Sequence, residues 1–300
     1  MKVAKYYAAA IAAFVIWGFF SLVLKPIHNY PSLDILFYRV FFCGAIMLFI
    51  SLLIRRKVLR ETRKAFKRLS KREKRRLVLL NLGGGVFLTG NWFFFIYVMN
   101  HVSVKATSLA YLVCPILTTV LANFLLKEKL DKYQWAAVAL STAGCLLISF
   151  NHLSDIIYSL IIASTYAIYL VSQRVNTGFD KFFLLSVQIL FSALLLLPFY
   201  PAFSSGMPGT PLFYSLIALI AVLFTIVPLF LNLYALHGIP SSTVGMLLYI
   251  NPIIAFFLAV YYYHEKVDML QVIAYSSILL SIVLFNKQNI QGRKPAVFRQ

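Results

Sequence analysis

The chain writes one stretch of itself twice, 137 residues apart. Cys114-Pro115 is followed by the turn Lys127-Glu128-Lys129-Leu130-Asp131-Lys132-Tyr133-Gln134, and Asn251-Pro252 by His264-Glu265-Lys266-Val267-Asp268-Met269-Leu270-Gln271. Pro, Glu, Lys, Asp and Gln recur in register, as do Tyr97 with Tyr234, Ala122 with Ala259 and Ala137 with Ala274. Self-similarity at one long period signals a duplicated structural unit. Here the unit contains an apolar helix with an embedded proline, a short charged turn and a second apolar helix.

Composition decides what surrounds that unit. The 300 residues are 61% hydrophobic and 12% charged, against about 45–50% and about 25% in soluble domains. With a mean hydropathy of +0.83, this indicates an all-α integral membrane protein, and the ten-residue alternation of a membrane β-barrel is absent. A hydrocarbon core needs about 20 apolar residues per helix. Ten windows qualify: 4–24, 33–54, 77–98, 103–126, 134–150, 156–173, 182–200, 212–236, 240–263 and 269–286. The N-terminal lysines and first apolar run superficially resemble a signal peptide. They read as the first span because no small-x-small cleavage site precedes a polar region.

The net charge of +19 does not point to nucleic acid, because the basic residues lie between apolar spans. That is a topology signal. Placing the N-terminus in the cytoplasm puts Lys2, Lys5, all thirteen basic residues of segment 55–76, Lys127, Lys129, Lys132, Arg174, Lys181 and the basic tail on the cytoplasmic side. The expected topology is multi-pass, with both termini cytoplasmic. Five spans per unit is an odd number, so the second copy must insert upside down, as in alternating-access transporters. The expected organisation is residues 1–152 as the first repeat, 153–286 as the inverted second repeat, and 287–300 as a cytoplasmic tail. Segment 55–76 reads as a topology anchor or as a patch for anionic lipid headgroups.

Pro115 and Pro252 remove a helix N–H and free the carbonyls of Tyr111 and Leu248. Matching interruptions at mid-depth point to a binding site, or else to packing kinks. Ala106, Ala110, Cys114, Thr118 and Ala122 form a small-residue stripe for close helix approach, and Gly83, Gly84, Gly85 and Gly90 serve packing or a hinge. Asn91, Asn232, Asn251 and Gln188 either bind a solute or bridge helices. Thr225, Pro228 and Asn232 share one helix face. Arg39 is the one basic residue well inside a span, either a clamp for a carboxylate or a structural snorkeller. Trp17, Trp92, Tyr97, Tyr111, Tyr166, Tyr169, Tyr234 and Tyr249 supply aromatic surface, some of it for a cavity. The candidate substrate-cavity residues are Arg39, Asn91, Trp92, Tyr111, Asn232 and Asn251, with Pro115 and Pro252 shaping the backbone. No carboxylate lies in mid-membrane. The three cysteines match no metal spacing, and no hydrolase, zinc or P-loop motif occurs. No cofactor or catalytic residue is therefore expected.

Taken in order, Ile16-Trp17-Gly18, Lys25, Arg39-Val40, Gly90-Asn91-Trp92, Ser108-Leu109-Ala110-Tyr111 before Pro115, Glu128, Thr225-Ile226-Val227-Pro228-Leu229, Tyr249-Ile250-Asn251-Pro252 and Glu265 resemble the EamA family of the drug/metabolite transporter superfamily. The likeness is strongest to its RarD-type permeases. The resemblance implies ten helices in two EamA repeats and a central cavity built from the first four helices of each. It also implies a plasma-membrane permease, often an exporter of amino acids or other metabolites. Two positions depart from the pattern. Ala106 stands where a glutamate is frequent, which argues against proton coupling there, and Cys114 stands where an asparagine is. The expected function is secondary transport of a small amphipathic or anionic metabolite by alternating access. The partners are that solute and lipid, with a homodimer also open. An intramembrane lipid-modifying enzyme would need a nucleophile or metal constellation, and a membrane sensor or scaffold would need an appended domain. Neither signal is found.

Overall fold

The computed structural model describes residues 3–101, 104–149, 153–264 and 269–287. Glu265, Lys266, Asp268 and the tail beyond 287 lie outside the described residues, as do the side chains of Lys105 and Ala106. The fold is helical: α1 (Ala4–Ile27), α2 (Ser32–Ile54), α3 (Arg56–Arg68), α4 (Lys71–His101), α5 (Val104–Leu126), α6 (Lys132–Ser149), α7 (Leu153–Arg174), α8 (Lys181–Phe203), α9 (Pro211–Gly238), α10 (Ser241–Tyr261) and α11 (Met269–Phe285). Among the described residues eight helices are long and apolar enough to cross a membrane. With 18 and 17 residues, α6 and α11 rise about 26 Å, close to a hydrocarbon thickness of about 30 Å. They complete the ten spans.

The main pairings of helices are preserved when the two halves are exchanged. α1 packs on α9 as α7 packs on α4, α1 on α10 as α7 on α5, and α2 on α9 as α8 on α4. Three helices pack on their own counterparts: α2 on α8, α5 on α10 and α6 on α11. That is the signature of a pseudo-two-fold axis, and five crossings per half place it in the membrane plane.

Polar contacts at the ends of α2 and α8 follow the same symmetry. Asp34, in the first turn of α2, is 2% exposed and accepts the Ser205 N–H on both oxygens at 3.2 Å, just past the end of α8. Asp180 caps α8 by accepting the Phe183 N–H at 3.0 Å, and it also pairs with Arg55 at the end of α2 through two bonds of 2.9 and 3.2 Å. Each helix of the pair thus grips the far end of its partner with an aspartate at its own start.

Segment 55–76 is not an irregular connector. It is the basic helix α3 followed by the first turns of α4, which open on a Ser70–Glu73 capping box. Leu59, Thr62 and Phe66 fall at helical spacing within the basic run and give α3 its apolar face. The stripe on α5 is used for close approach: a Cβ on Gly245 of α10 would meet Thr118 Cγ2 at 2.8 Å. Gly84 and Gly85 likewise lie against Gln173 and Phe191, while Gly83 faces open space.

Candidate functional site

The two prolines act differently. Around Pro252 the helix is interrupted, running as Ser241–Leu247 and then Ile250–Tyr261. The Leu248 carbonyl, freed by the proline, accepts the Asn251 N–H at 3.1 Å. Pro115 sits inside α5, which continues through it unbroken. The matched interruption expected of the pair is therefore present in one half only. A third proline does similar work: Pro228 frees the Phe224 carbonyl at a π-turn of α9 (Val222–Ile226). The Trp17 indole N–H of α1 donates to that carbonyl at 2.8 Å.

Around this point lies a polar and aromatic cluster inside an apolar bundle. The Arg39 guanidinium stacks on Trp92, 4.7 Å from the ring centroid. Cys43 and Tyr111 are within its electrostatic reach. Tyr111 neighbours Tyr166, whose hydroxyl accepts the Asn232 amide N–H at 2.9 Å, and the Trp17 ring lies edge-on to Tyr166 at 6.1 Å. Thr225 donates to the Ile220 carbonyl at 3.0 Å. Arg39 and Tyr111 are half-buried.

Two atoms of this cluster are buried without partners: the Arg39 Nε–H donor and the Asn232 Oδ1 acceptor. Among the described residues the one ion pair is Arg55–Asp180, so Arg39 has no carboxylate there to neutralise it. Buried polar atoms are nearly always paired with protein, water or ligand. The cluster thus holds an unpaired cationic donor and an unpaired neutral acceptor.

Of the expected cavity residues, Arg39 contacts Trp92, Asn232 contacts Tyr166, and Tyr111 is within electrostatic range of both Arg39 and Tyr166. Asn91 instead bridges α4 to α7, donating to the Ile162 carbonyl at 3.0 Å and the Thr165 hydroxyl at 3.3 Å. Asn251 is half-buried beside the α10 interruption, without a side-chain hydrogen bond among the described residues. Gln188 belongs to a separate amide cluster near the basic side. Its Nε2 donates to Asn81 Oδ1 at 3.2 Å and to Gln173 Oε1 at 2.7 Å, and its Oε1 accepts from the Tyr169 hydroxyl at 3.1 Å. Asn176 joins by donating to Asn81 at 3.2 Å and to Gln173 at 3.0 Å. Sequence reasoning picked out only Gln188 of these four amides. Gln173 and Asn176 lie at the end of α7, where an amide is ordinary, and Asn81 lies within α4 close to its basic first turns. Tyr166 stood among many aromatics with nothing to single it out, and Trp17 was marked only as part of Ile16-Trp17-Gly18.

On the basic side hydrogen bonds tie the two halves together. The buried Glu128 carboxylate, at the end of α5, accepts the Ser241 N–H at 2.8 Å, the Ser242 N–H at 3.0 Å and the Ser242 hydroxyl at 2.6 Å. It thereby joins α5 to the start of α10 across the pseudo-dyad. Arg174 at the end of α7 donates to the Leu236 carbonyl near the end of α9. Among the described residues no group of three His, Cys, Asp or Glu side chains could hold a metal.

A family model described as EamA-like transporter family matches residues 4–150 and again residues 153–287. The chain belongs to the EamA-like transporter family. The double match is the duplication read from the repeat, and it makes this protein a multi-pass membrane permease. Protein RarD of Salmonella typhi is 30% identical over 283 residues, 92% of each chain. Protein RarD of Escherichia coli is 28% identical over the same length and coverage. An uncharacterized transporter of Bacillus subtilis, YojE, is 26% identical over 292 residues, 94% of this chain and 93% of its own. The permease is therefore RarD-type, within the drug/metabolite transporter superfamily. A solved crystal structure 15% identical in sequence shares the fold, with a TM-score of 0.74 over 97% of this chain and 99% of that one.

Proposed function

We propose that this EamA-like permease is a secondary transporter of a small metabolite bearing a carboxylate, such as an amino acid or an amphipathic organic acid. Transport proceeds by alternating access around a mid-depth hollow bordered by Arg39, Trp92, Tyr111 and Asn232. The observation that carries this reading is the Arg39 guanidinium, held on Trp92 inside an apolar bundle with an unpaired Nε–H and no carboxylate partner among the described residues. A permanent charge costs about 2.5–3.5 kcal/mol at a helix centre, and a transient anionic ligand offsets that cost each time it binds. The unpaired Asn232 Oδ1 suits a donor on the same solute, which favours an amino acid over a simple carboxylate.

The halves 1–152 and 153–286 rock about the in-plane axis. The Glu128 contacts represent closure on the basic side, and both termini and the tail 287–300 lie on that side, the cytoplasmic face of the plasma membrane. The basic segment 55–76 also holds anionic lipid headgroups, each basic residue near the surface contributing about 1 kcal/mol.

Uptake and counterflow in proteoliposomes, across a panel of amino acids and organic ions with and without a pH gradient, test the proposal. Transport of at least one carboxylate solute is expected. Arg39→Gln should raise its half-saturation concentration or abolish flux, with Arg39→Lys intermediate because it lacks the planar fork. Flux kinetics unchanged in Arg39→Gln, or no carboxylate transported while a cation is, would overturn the assignment.

A further inference from the structure

Where α3 crosses α4 and α8, the basic side carries an apolar groove of about 360 Å³. Leu59 and Phe66 of α3, Val78 and Leu82 of α4, and Phe183 and Val187 of α8 line it. Beside it on α4, Val78, Leu79 and Leu82 are exposed, so the groove adjoins an apolar surface suited to hydrocarbon. Three polar residues, Thr62, Arg63 and Asn81, also line it. Arg63 on α3 is exposed, whereas Asn81 is buried and joined to the amide cluster of Asn176 and Gln188.

The helix over the groove settles the occupant. α3 carries Arg56, Lys57, Arg60, Arg63, Lys64, Lys67 and Arg68 against the single acid Glu61. Arg55 is already neutralised by Asp180, whereas Arg63 has no ion-pair partner among the described residues. A strongly basic amphipathic helix lies in the plane of a membrane interface and attracts anionic lipid. A soluble anion would leave the groove empty, and a zwitterionic lipid would leave the charge unanswered. An amphiphile with an apolar chain and an anionic head satisfies both.

We propose that this groove holds one acyl chain of an anionic phospholipid from the basic-side leaflet, with the lipid phosphate against the Arg63 guanidinium. The inference rests on the reading of segment 55–76 as an anionic-lipid surface and converts that diffuse surface into one defined site. Because Asn81 reaches from the groove to the amides of α7 and α8, the bound chain braces the basic-side wall of the bundle.

Native mass spectrometry of the full chain in neutral detergent tests this without reading transport, so its failure and that of the transporter assignment are separable. Phosphatidylglycerol and phosphatidylcholine with identical chains serve as probes. One phosphatidylglycerol should be retained in preference to phosphatidylcholine. Arg63→Gln, at an exposed position where folding is unaffected, should reduce that preference by about fivefold, the equivalent of about 1 kcal/mol per basic residue. Val187→Trp, which fills the groove, should lower retention of both lipids. Equal retention of the two lipids, an unchanged preference in Arg63→Gln, or competition by soluble glycerophosphate as strong as by phosphatidylglycerol would overturn the proposal. The last result would show an anion site without a chain site.

Discussion

Lys127 and His264, 137 residues apart, hold the same left-handed backbone, with φ of 55° and 53°. They are the only non-glycine residues with positive φ among those described. At Lys127 the geometry ends α5: the left-handed residue turns the chain so that the Glu128 N–H reaches back six residues to the Ala122 carbonyl at 3.3 Å, one residue further than the bond of a Schellman motif. Asp131 and Gln134 then exchange bonds of 2.9 and 3.1 Å as a capping box that starts α6. The repeated charged turn thus stops one helix, starts the next, and delivers Glu128 to the neighbouring helix.

A β-branched residue is poorly tolerated in left-handed backbone. Lys127→Val should destabilise the protein by about 1–2 kcal/mol, while Lys127→Gly should be near neutral because relief of strain offsets added chain entropy. Thermal unfolding of the purified protein in detergent distinguishes them, and equal melting temperatures for the two variants would contradict the assigned backbone.

Glu128 bonds the start of α10 through a carboxylate, and bonds to a charged group are worth about 1.5–3 kcal/mol. Glu128→Gln should weaken closure on the basic side by about 2 kcal/mol. The readout is maleimide labelling of Cys114, 2% exposed here, with Cys43 and Cys145 replaced by serine. Labelling from the basic side should accelerate in Glu128→Gln. An unchanged rate would remove Glu128 from the closure.

Trp17 answers the carbonyl that Pro228 leaves unpaired. Trp17→Phe should cost about 1–3 kcal/mol, the penalty for a buried acceptor without a donor. Pro228→Ala restores a helix N–H to Phe224, so in that background Trp17→Phe should cost less. A double-mutant cycle on melting temperature measures the coupling. Strict additivity would mean that the bond carries no energy.

Arg39 gives a second stability test independent of transport. A carboxylate substrate that binds the folded protein must raise its melting temperature with concentration. That rise should vanish in Arg39→Gln. A rise that persists undiminished would place the solute elsewhere.

Most of the architecture was legible before any coordinates. Span number and the duplication follow from apolar run length and from a charged turn whose residues recur in register 137 positions on. The even exchange of α2–α8, α5–α10 and α6–α11 contacts is the three-dimensional form of that repeat. Arg39, Trp92 and Tyr111 could be picked out because a fixed charge and amphipathic rings are conspicuous against an aliphatic background.

The sequence by itself determined what each segment must satisfy: apolar length for the bilayer, capping groups for helix ends, and inversion of the second half through an odd number of crossings. Only tertiary structure decided which groups satisfy one another. Asn91 bonds to the Ile162 carbonyl and Asn232 to Tyr166, leaving Asn232 Oδ1 free, although both amides look alike in the chain. Pro115 is absorbed into α5 while Pro252 interrupts α10, and α3 rises out of a run that reads simply as charge. A side chain's chemistry is local, but its partner is whichever atom packing brings within about 3 Å, and that depends on residues distant in the sequence.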